Sequence, residues 1–153
     1  MTFSVTARCA ETGQLGIAIS SSSIAVGARC PWLQAGVGAV SSQNITLPLL
    51  GPLTLAGLEK GAGAEAALSQ ALAQDTFSAY RQVTVIDAAG GTAAWSGEHT
   101  LGTYHVAHGV DCVAGGNMLA DKAVVDAMVR AFEGSHGALA GRLITALQAG
   151  LAA

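Results

Sequence analysis

The chain has 153 residues, 51% of them hydrophobic and 11% charged, and its formal net charge is -3 at pH 7. Its scattered basic residues form no stripe for phosphate contacts, and no apolar run reaches the roughly 18 residues of a membrane span, which disfavours nucleic-acid and membrane binding. No basic and apolar leader opens the chain, so we expect a cytoplasmic protein with one domain over residues 1–153. Because so few charged residues can cover a monomer's surface, we also expect a homo-oligomer.

The residue pattern predicts two β-hairpins and two pairs of helices. The hairpins are predicted where extended apolar segments flank a short turn, and the helices where apolar residues recur every three or four positions. Asp121 is expected to cap the third helix, and Pro31-Trp32 to interrupt the chain before the third strand. The predicted strands and extended segments are 3–7, 15–19, 35–40, 81–87, 92–96, 104–108 and 110–114. The predicted helices are 49–58, 64–73, 121–132 and 138–147.

This order predicts an α+β protein. A sheet half, a helix pair, a second sheet half and a second helix pair follow one another without the regular strand-helix alternation of a parallel wound fold. Helices placed outside two antiparallel sheets would cover every apolar face. We therefore expect a four-layer αββα sandwich, with a two-layer α+β domain as the alternative.

The start of the chain offers one residue with unusual chemical potential. Thr2 directly follows the initiator, so removal of Met1 would leave a nucleophilic hydroxyl and a free α-amine on the same residue. This pair is the minimal apparatus of an N-terminal-nucleophile hydrolase, in which the amine acts as the base for the hydroxyl. The alternative is that Thr2 only begins the first strand.

Several motifs, in matching order over nearly the whole chain, resemble the domain of unknown function 1028 (DUF1028) family. They are TFSVTAR at 2–8, TGQLG at 12–16, AVG at 25–27, PW at 31–32, AGVGAV at 35–40, YRQ at 80–82, VID at 85–87 and GNMLA at 116–120, together with Gln43. Members of that family are similar to N-terminal-nucleophile hydrolases, so the resemblance implies their αββα fold and makes Thr2 the candidate nucleophile. Family members usually continue beyond the end of this chain, so we expect the chain to be short at its C-terminus.

Residues 115–117, Gly-Gly-Asn, precede a predicted helix. Asn117 and the backbone at Gly116 are expected to donate hydrogen bonds to an oxyanion, as amide or ester hydrolysis requires. The alternative is a plain loop.

Further polar residues are expected to bind substrate. An arginine on a buried strand needs an anionic partner, so Arg8 would hold an anionic substrate group or pair with Asp87 or Glu11. Arg81 and Asp87 bracket one strand and would flank a cleft; alternatively, Arg81 lies in solvent and Asp87 opens the next turn.

Two more substrate-binding candidates lie near strand ends. Ser21 belongs to the serine run 20–23, whose alternative role is hydrogen bonding to the local backbone. Gln43 lies just beyond the third predicted strand.

We expect no metal and no cofactor. The histidines lie singly or on opposite faces of an extended segment, and no nucleotide-binding motif is present. The three cysteines, Cys9, Cys30 and Cys112, are odd in number and widely spaced, so we expect buried thiols and no disulfide.

The residues and the resemblance together predict an amidohydrolase that cleaves an amide-type C–N bond in a small, anionic molecule. The alternative from another class is a non-catalytic module that binds a metabolite or assembles with a partner, because fold does not dictate activity. A third possibility is a fragment without a competent site.

Overall fold

The computed structural model describes residues 1–153, which form a mixed α+β structure with two antiparallel sheets and four helices. The strands are β1 (Thr2–Arg8), β2 (Leu15–Ser21), β3 (Pro31–Gln34), β4 (Gly38–Asn44), β5 (Arg81–Asp87), β6 (Thr92–Ser96), β7 (Thr103–Gly109) and β8 (Cys112–Leu119). The helices are α1 (Leu50–Glu59), α2 (Ala64–Leu72), α3 (Ala123–Glu133) and α4 (Leu139–Ala152). The predicted α+β class is confirmed.

The strands form two sheets of the same size. The first sheet has the order β2-β1-β8-β7, and the second has the order β3-β4-β5-β6. Helices α3 and α4 pack against the first sheet, and α1 and α2 pack against the second. The two sheets contact each other mainly through their central strands, β1 and β8 on one side and β4 and β5 on the other.

Both predicted hairpins are confirmed, because β1 pairs with β2 and β5 pairs with β6 in antiparallel register. The predicted third strand is wrong in its bounds. Residues 35–37 belong to a turn, in which Gly36 has a φ of +72°, and β4 begins at Gly38. Pro31-Trp32 is also no break, since both residues lie in β3 at the edge of the second sheet, where a proline is tolerated.

The end of the first sheet also differs from the prediction. Residues 115–117 lie inside β8 and not in a loop before a helix. Glycine fits there because a Cβ at Gly115 would lie 3.0 Å from Thr84 Cγ2 of the second sheet. The close approach of the two sheets therefore favours glycine at this position, because a Cβ would fit only if Thr84 moved slightly.

The helix predictions agree with the structure except at their ends. The expected cap is wrong in its position: Lys122 is the N-cap residue of α3 and makes no side-chain cap hydrogen bond, while Asp121, one residue earlier, accepts from the Ala123 N–H at 2.7 Å. Helix α4 continues to Ala152, beyond the predicted end at residue 147.

Two separate apolar cores lie between the sheets and their helices. On β1, Phe3, Val5 and Ala7 are at most 1% exposed and belong to the core beneath α3 and α4. Val83 and Val85 of β5 belong to the core beneath α1 and α2. Because side chains alternate along a strand, the residues between these apolar positions face the other sheet.

Much of the layer between the sheets is polar. Ser4 Oγ donates to Gln43 Oε1 at 2.8 Å, and the hydroxyls of Thr6 and Thr84 are 3.0 Å apart. Gln43 Nε2 donates to Gln82 Oε1 at 2.8 Å. All five side chains are fully buried, so these hydrogen bonds offset a desolvation cost that would otherwise oppose folding.

We expect the substitution Gln82→Met to lower the free energy of unfolding by about 3 kcal/mol, because it leaves several buried polar groups without a partner. The side-chain nitrogens of Gln43 and Asn117 lose their shared acceptor, and the Gly116 carbonyl loses one hydrogen bond. Urea unfolding, followed by circular dichroism, measures the change.

The matched control replaces both partners of one buried hydrogen bond. The double variant Thr6→Val, Thr84→Val keeps the shape of both side chains and leaves no orphaned group, so its stability is expected to stay within about 1 kcal/mol of wild type. Equal losses in Gln82→Met and the double variant would contradict the role assigned to the Gln82 amide.

Candidate functional site

A cavity of about 110 Å³ lies between the sheets at the end where β1 begins, and we call it the Thr2 cavity. It brings together four of the predicted site residues, Thr2, Ser21, Gln43 and Asn117, which come from β1, β2, β4 and β8. The remaining residues that line it are Ser22, Ser23, Val26, Arg29, Cys30, Asn44, Thr46 and Met118.

The register of β1 explains why Thr2 has these neighbours. Thr2 lies opposite Ser21 of β2 and opposite Asn117 of β8. Residues in directly opposite positions present their side chains on the same face of a sheet. The Thr2 Oγ1 is accordingly 2.8 Å from the Ser21 Oγ, and Thr2 is only 7% exposed.

Met1 lies directly before the first strand. Its carbonyl accepts a hydrogen bond from the Ser22 N–H at 3.2 Å, and its ammonium group is 3.4 Å from the Ser22 Oγ. Met1 is itself 40% exposed. With Met1 attached, the nitrogen of Thr2 is a peptide nitrogen and cannot act as a base; removal of this accessible residue would free the amine.

Asn117 is held by the side chain of Gln82. The Asn117 Nδ2 donates to the Gln82 Oε1 at 3.0 Å, and Gln82 Nε2 donates to the Gly116 carbonyl at 2.9 Å. Asn117 is fully buried, yet its Oδ1 has no hydrogen-bond partner. Gly116 contributes its carbonyl to this network but does not line the Thr2 cavity.

Arg29 is a cationic residue of the Thr2 cavity that sequence reasoning missed. Its Nη2 donates to the Ser23 Oγ at 2.6 Å, and its Nη1 donates to the carbonyl of Ile24. These bonds use two of the five N–H groups of the guanidinium. In the sequence, Arg29 lies directly before Cys30 and after the serine run. This position does not indicate that Arg29 lies near Thr2.

Arg8 and Asp87 lie away from the Thr2 cavity. Arg8 ends the strand that Thr2 begins and lies six positions after it, roughly 20 Å away along the extended chain. Arg8 Nε pairs with Asp111 at 2.8 Å, which corrects the expected pairing with Asp87 or Glu11. Asp87 accepts hydrogen bonds from the Ala89 and Gly91 N–H groups, as the alternative reading of a turn residue predicts.

Arg81 is close to the cavity but does not line it. Its Nε pairs with Asp75 Oδ2 at 2.7 Å, and its Nη1 donates to the Ile45 carbonyl at 2.7 Å. Arg81 is 8% exposed, so the alternative that it lies in solvent is wrong. The hydrogen bond from Arg81 is the main cause that lowers the pKa of the Asp75 carboxyl.

The three cysteines are buried and free, as predicted. Cys30 lines the Thr2 cavity, but burial raises the pKa of its thiol above the ordinary value. Burial also raises the pKa of Cys112 to about 12. Because the thiolate is the reactive form, the Cys30 thiol is a poor nucleophile at neutral pH, and the Thr2 hydroxyl is the better candidate.

A larger groove, of about 670 Å³, lies between α2 and β6. Trp95 and His108 line it, together with apolar residues of α2. It contains none of the residues predicted to form the site.

A model of a family of unknown function, DUF1028, matches residues 2–153. The chain belongs to the DUF1028 family. The crystal structure of a DUF1028 protein from Silicibacter pomeroyi is 32% identical to this chain and superimposes with a TM-score of 0.95. The match covers 99% of this chain and 70% of that one.

No curated protein matches this DUF1028 chain. Among its helices, none has both the length and the apolar character needed to cross a membrane.

We expect Asp75→Asn to lower the stability of the protein at pH 7 by about 2 kcal/mol, because it removes a charged acceptor from the buried Arg81. A carboxyl whose pKa is lowered by folding stabilises the fold above its ordinary pKa of 3.8, and this contribution disappears as the pH falls through the lowered value. The stability difference should therefore shrink in acid. Urea unfolding at a series of pH values measures it.

Glu59→Gln is the control for this charge change, because Glu59 is exposed and accepts one hydrogen bond, from Gln34. Its effect at pH 7 should stay below about 0.5 kcal/mol. If Asp75→Asn costs no more than Glu59→Gln, the Asp75–Arg81 pair does not hold Arg81 in the fold.

Proposed function

We propose that this DUF1028 protein is an amidohydrolase whose nucleophile is the Thr2 hydroxyl, freed for catalysis when Met1 is removed. One observation carries the proposal: Thr2, Ser21, Gln43 and Asn117 come from separate strands and line a single cavity. A hydroxyl, an adjacent N-terminal amine and a buried amide donor are the groups that acyl transfer through an N-terminal residue requires.

The arrangement of layers supports the same reading. Helices pack on the outer face of each sheet, and the sheets face each other, as in a four-layer αββα sandwich. The motifs of this chain resemble a family that is similar to N-terminal-nucleophile hydrolases. In such a fold the first strand lies in the interior, as β1 does here between β2 and β8.

In the proposed reaction, Thr2 Oγ1 attacks the carbonyl carbon of the substrate amide and passes its proton to the α-amine. An Asn117 Nδ2 hydrogen not bonded to Gln82 would donate to the oxyanion. The C–N bond then breaks, the leaving amine takes the proton, and an ester remains on Thr2. Water, deprotonated by the same amine, hydrolyses the ester to a carboxylic acid and restores the hydroxyl.

Arg29 makes a small anionic substrate the best candidate. It is the one residue of the Thr2 cavity that carries a fixed charge, and the N–H groups left over from its bonds to Ser23 and Ile24 can bind a carboxylate. The positive charge of Arg29 would also lower the pKa of the nearby Thr2 amine, which favours its neutral, basic form. We therefore assign to Arg29 the substrate-orienting role expected of Arg8 or Arg81, whose guanidinium groups are paired with Asp111 and Asp75.

A second candidate function is favoured by the position of Met1. The Met1 carbonyl accepts a hydrogen bond from the Ser22 N–H of the neighbouring chain segment. In a chain that retains Met1, the nitrogen of Thr2 therefore stays in a peptide bond. Such a chain would bind a small anionic molecule at Arg29 and the serines without turning it over. Removal of Met1 is the step that separates the two functions.

We expect intact-mass spectrometry to detect a covalent acyl group on the processed chain after treatment with a small activated ester or amide. Chains that retain Met1 should stay unlabelled, and so should Thr2→Ala, whereas Thr2→Ser should keep the label. The Thr2→Ala chain still has an α-amine, so label that persists in it would show acylation of nitrogen and contradict the proposal.

Thr46→Val is the matched control for the labelling experiment. Thr46 also presents a hydroxyl at the cavity, and its Oγ1 is 3.8 Å from Cys30 Sγ. Valine keeps its shape, so this variant should label as wild type does. Loss of label here would show that the reaction depends on cavity hydroxyls in general.

We expect Arg29→Gln to lower kcat/KM by roughly tenfold or more for an amide that carries a carboxylate, because a hydrogen bond to a charged group is lost. The same variant should have little effect on a neutral amide of the same size. Arg130→Gln, which removes an exposed arginine of α3, is the charge control and should change neither value. Equal losses of kcat/KM for the neutral and the anionic amide would contradict the role assigned to Arg29.

A further inference from the structure

The amides of Gln43, Gln82 and Asn117, which we call the amide chain, have a fixed direction. Gln82 Nε2 donates to the Gly116 carbonyl at 2.9 Å and lies 3.5 Å from the His105 carbonyl. A backbone carbonyl can only accept, so the nitrogen end of the Gln82 amide must face Gly116 and its oxygen end must face the other two amides.

This direction passes from Gln82 to its neighbours. Gln43 and Asn117 both present their nitrogen to the Gln82 Oε1, at 2.8 Å and 3.0 Å. On Gln43, the opposite end of the amide is an acceptor that Ser4 Oγ satisfies at 2.8 Å. A reversed Asn117 amide would bring its oxygen against the Gln82 Oε1, and two acceptors repel each other.

The oxygen end of Asn117 is the one open position of the amide chain. Its Oδ1 is buried and has no partner, although Asn117 is 0% exposed and lines the Thr2 cavity. An unpaired buried acceptor costs free energy that a donor would recover. The Thr2 hydroxyl, on the residue opposite Asn117, is already hydrogen-bonded with the Ser21 hydroxyl.

We infer that Asn117 Oδ1 is the acceptor for the α-amine of Thr2 once Met1 has been removed, and that Gln82 is the positioning residue that keeps this oxygen in place. Thr2 lies directly opposite Asn117, and both residues line the Thr2 cavity, so we place the freed amine within reach of the open acceptor. One N–H of the amine donates to Oδ1, which leaves its lone pair to take the Thr2 hydroxyl proton. This inference rests on the proposed function, in which the amine is the base. Its test needs no hydrolase activity.

The charged surroundings of the amine are simple. Of the residues that line the Thr2 cavity, Arg29 and Cys30 are titratable, and no carboxylate is among them. The Cys30 thiol stays neutral at pH 7, because burial raises its pKa. Arg29 is charged throughout, so it affects every variant alike.

The test is the pKa of the Thr2 amine, measured by NMR titration of threonine-labelled chain from which an aminopeptidase has removed Met1. A hydrogen bond to Oδ1 stabilises the protonated amine, so Asn117→Leu should lower the pKa by roughly half a unit to one unit. Thr46→Val changes another residue that lines the cavity, keeps the shape of its side chain and should leave the pKa unchanged. Gln82→Met should lower it in part, because Asn117 is then free to turn.

A second variant keeps the test decisive if Asn117→Leu fails to fold. Asn117→Asp places a carboxyl beside the amine and should raise the pKa, by more than about one unit when it is ionised. The inference is overturned if Asn117→Leu stays within about 0.2 unit of wild type. It is equally overturned if Thr46→Val lowers the pKa as much, if Asn117→Asp leaves it unchanged, or if Met1 resists removal.

The titration needs no substrate, so the two proposals fail separately. Suppose that the chain without Met1 cleaves no amide, but the pKa of its Thr2 amine depends on Asn117. The proposed amidohydrolase activity would then be wrong, and Asn117 Oδ1 would still be the acceptor of the amine. If the chain is acylated at Thr2 but the pKa of the amine does not depend on Asn117, the proposed nucleophile stands and the acceptor role of Asn117 is wrong.

Discussion

Gln82 uses both ends of its side-chain amide inside the layer between the two sheets. Its nitrogen donates to the Gly116 carbonyl of the first sheet, and its oxygen accepts from Gln43 of the second sheet and from Asn117 of the first. The apolar side of each sheet is covered by helices, so the facing sides are joined largely by hydrogen bonds. A slip of β5 by one residue would turn Gln82 toward the helices and Val83 toward the other sheet, which makes other registers costly.

The same constraint builds the candidate site. β1 lies between β2 and β8, so Thr2 at its start is flanked by Ser21 and Asn117. The second sheet brings Gln43 across the gap, and the loop after β2 brings Arg29. Each side chain is placed by backbone register or by a hydrogen bond, so the cavity combines a hydroxyl, an amide and a cation.

The sequence predicts the parts of the fold that follow a simple period. The hairpin of β5 and β6 and the helices follow the alternation or the three-to-four spacing of apolar residues, and the resemblance to DUF1028 is confirmed by the family match. The sequence does not predict the polar end of β4 or residues 115–117 of β8 as strand. Serine, glutamine, glycine and asparagine indicate loops unless their partners on another strand are known. Thr2, Ser21, Gln43 and Asn117 could be named from sequence, but Arg29 could not, since only the loop conformation brings it to Thr2. The self-association expected from composition stays a prediction.

The central claim is that a backbone carbonyl sets the direction of the buried amides and leaves one oxygen open beside Thr2. Neutron diffraction from a deuterated crystal shows which end of each amide carries hydrogen, and so tests the claim directly. We expect deuterium on the Gln82 nitrogen that faces Gly116 and on the Asn117 nitrogen that faces Gln82, and none on the Asn117 oxygen. An Asn117 amide turned the other way, with its oxygen facing the Gln82 oxygen, would contradict this claim.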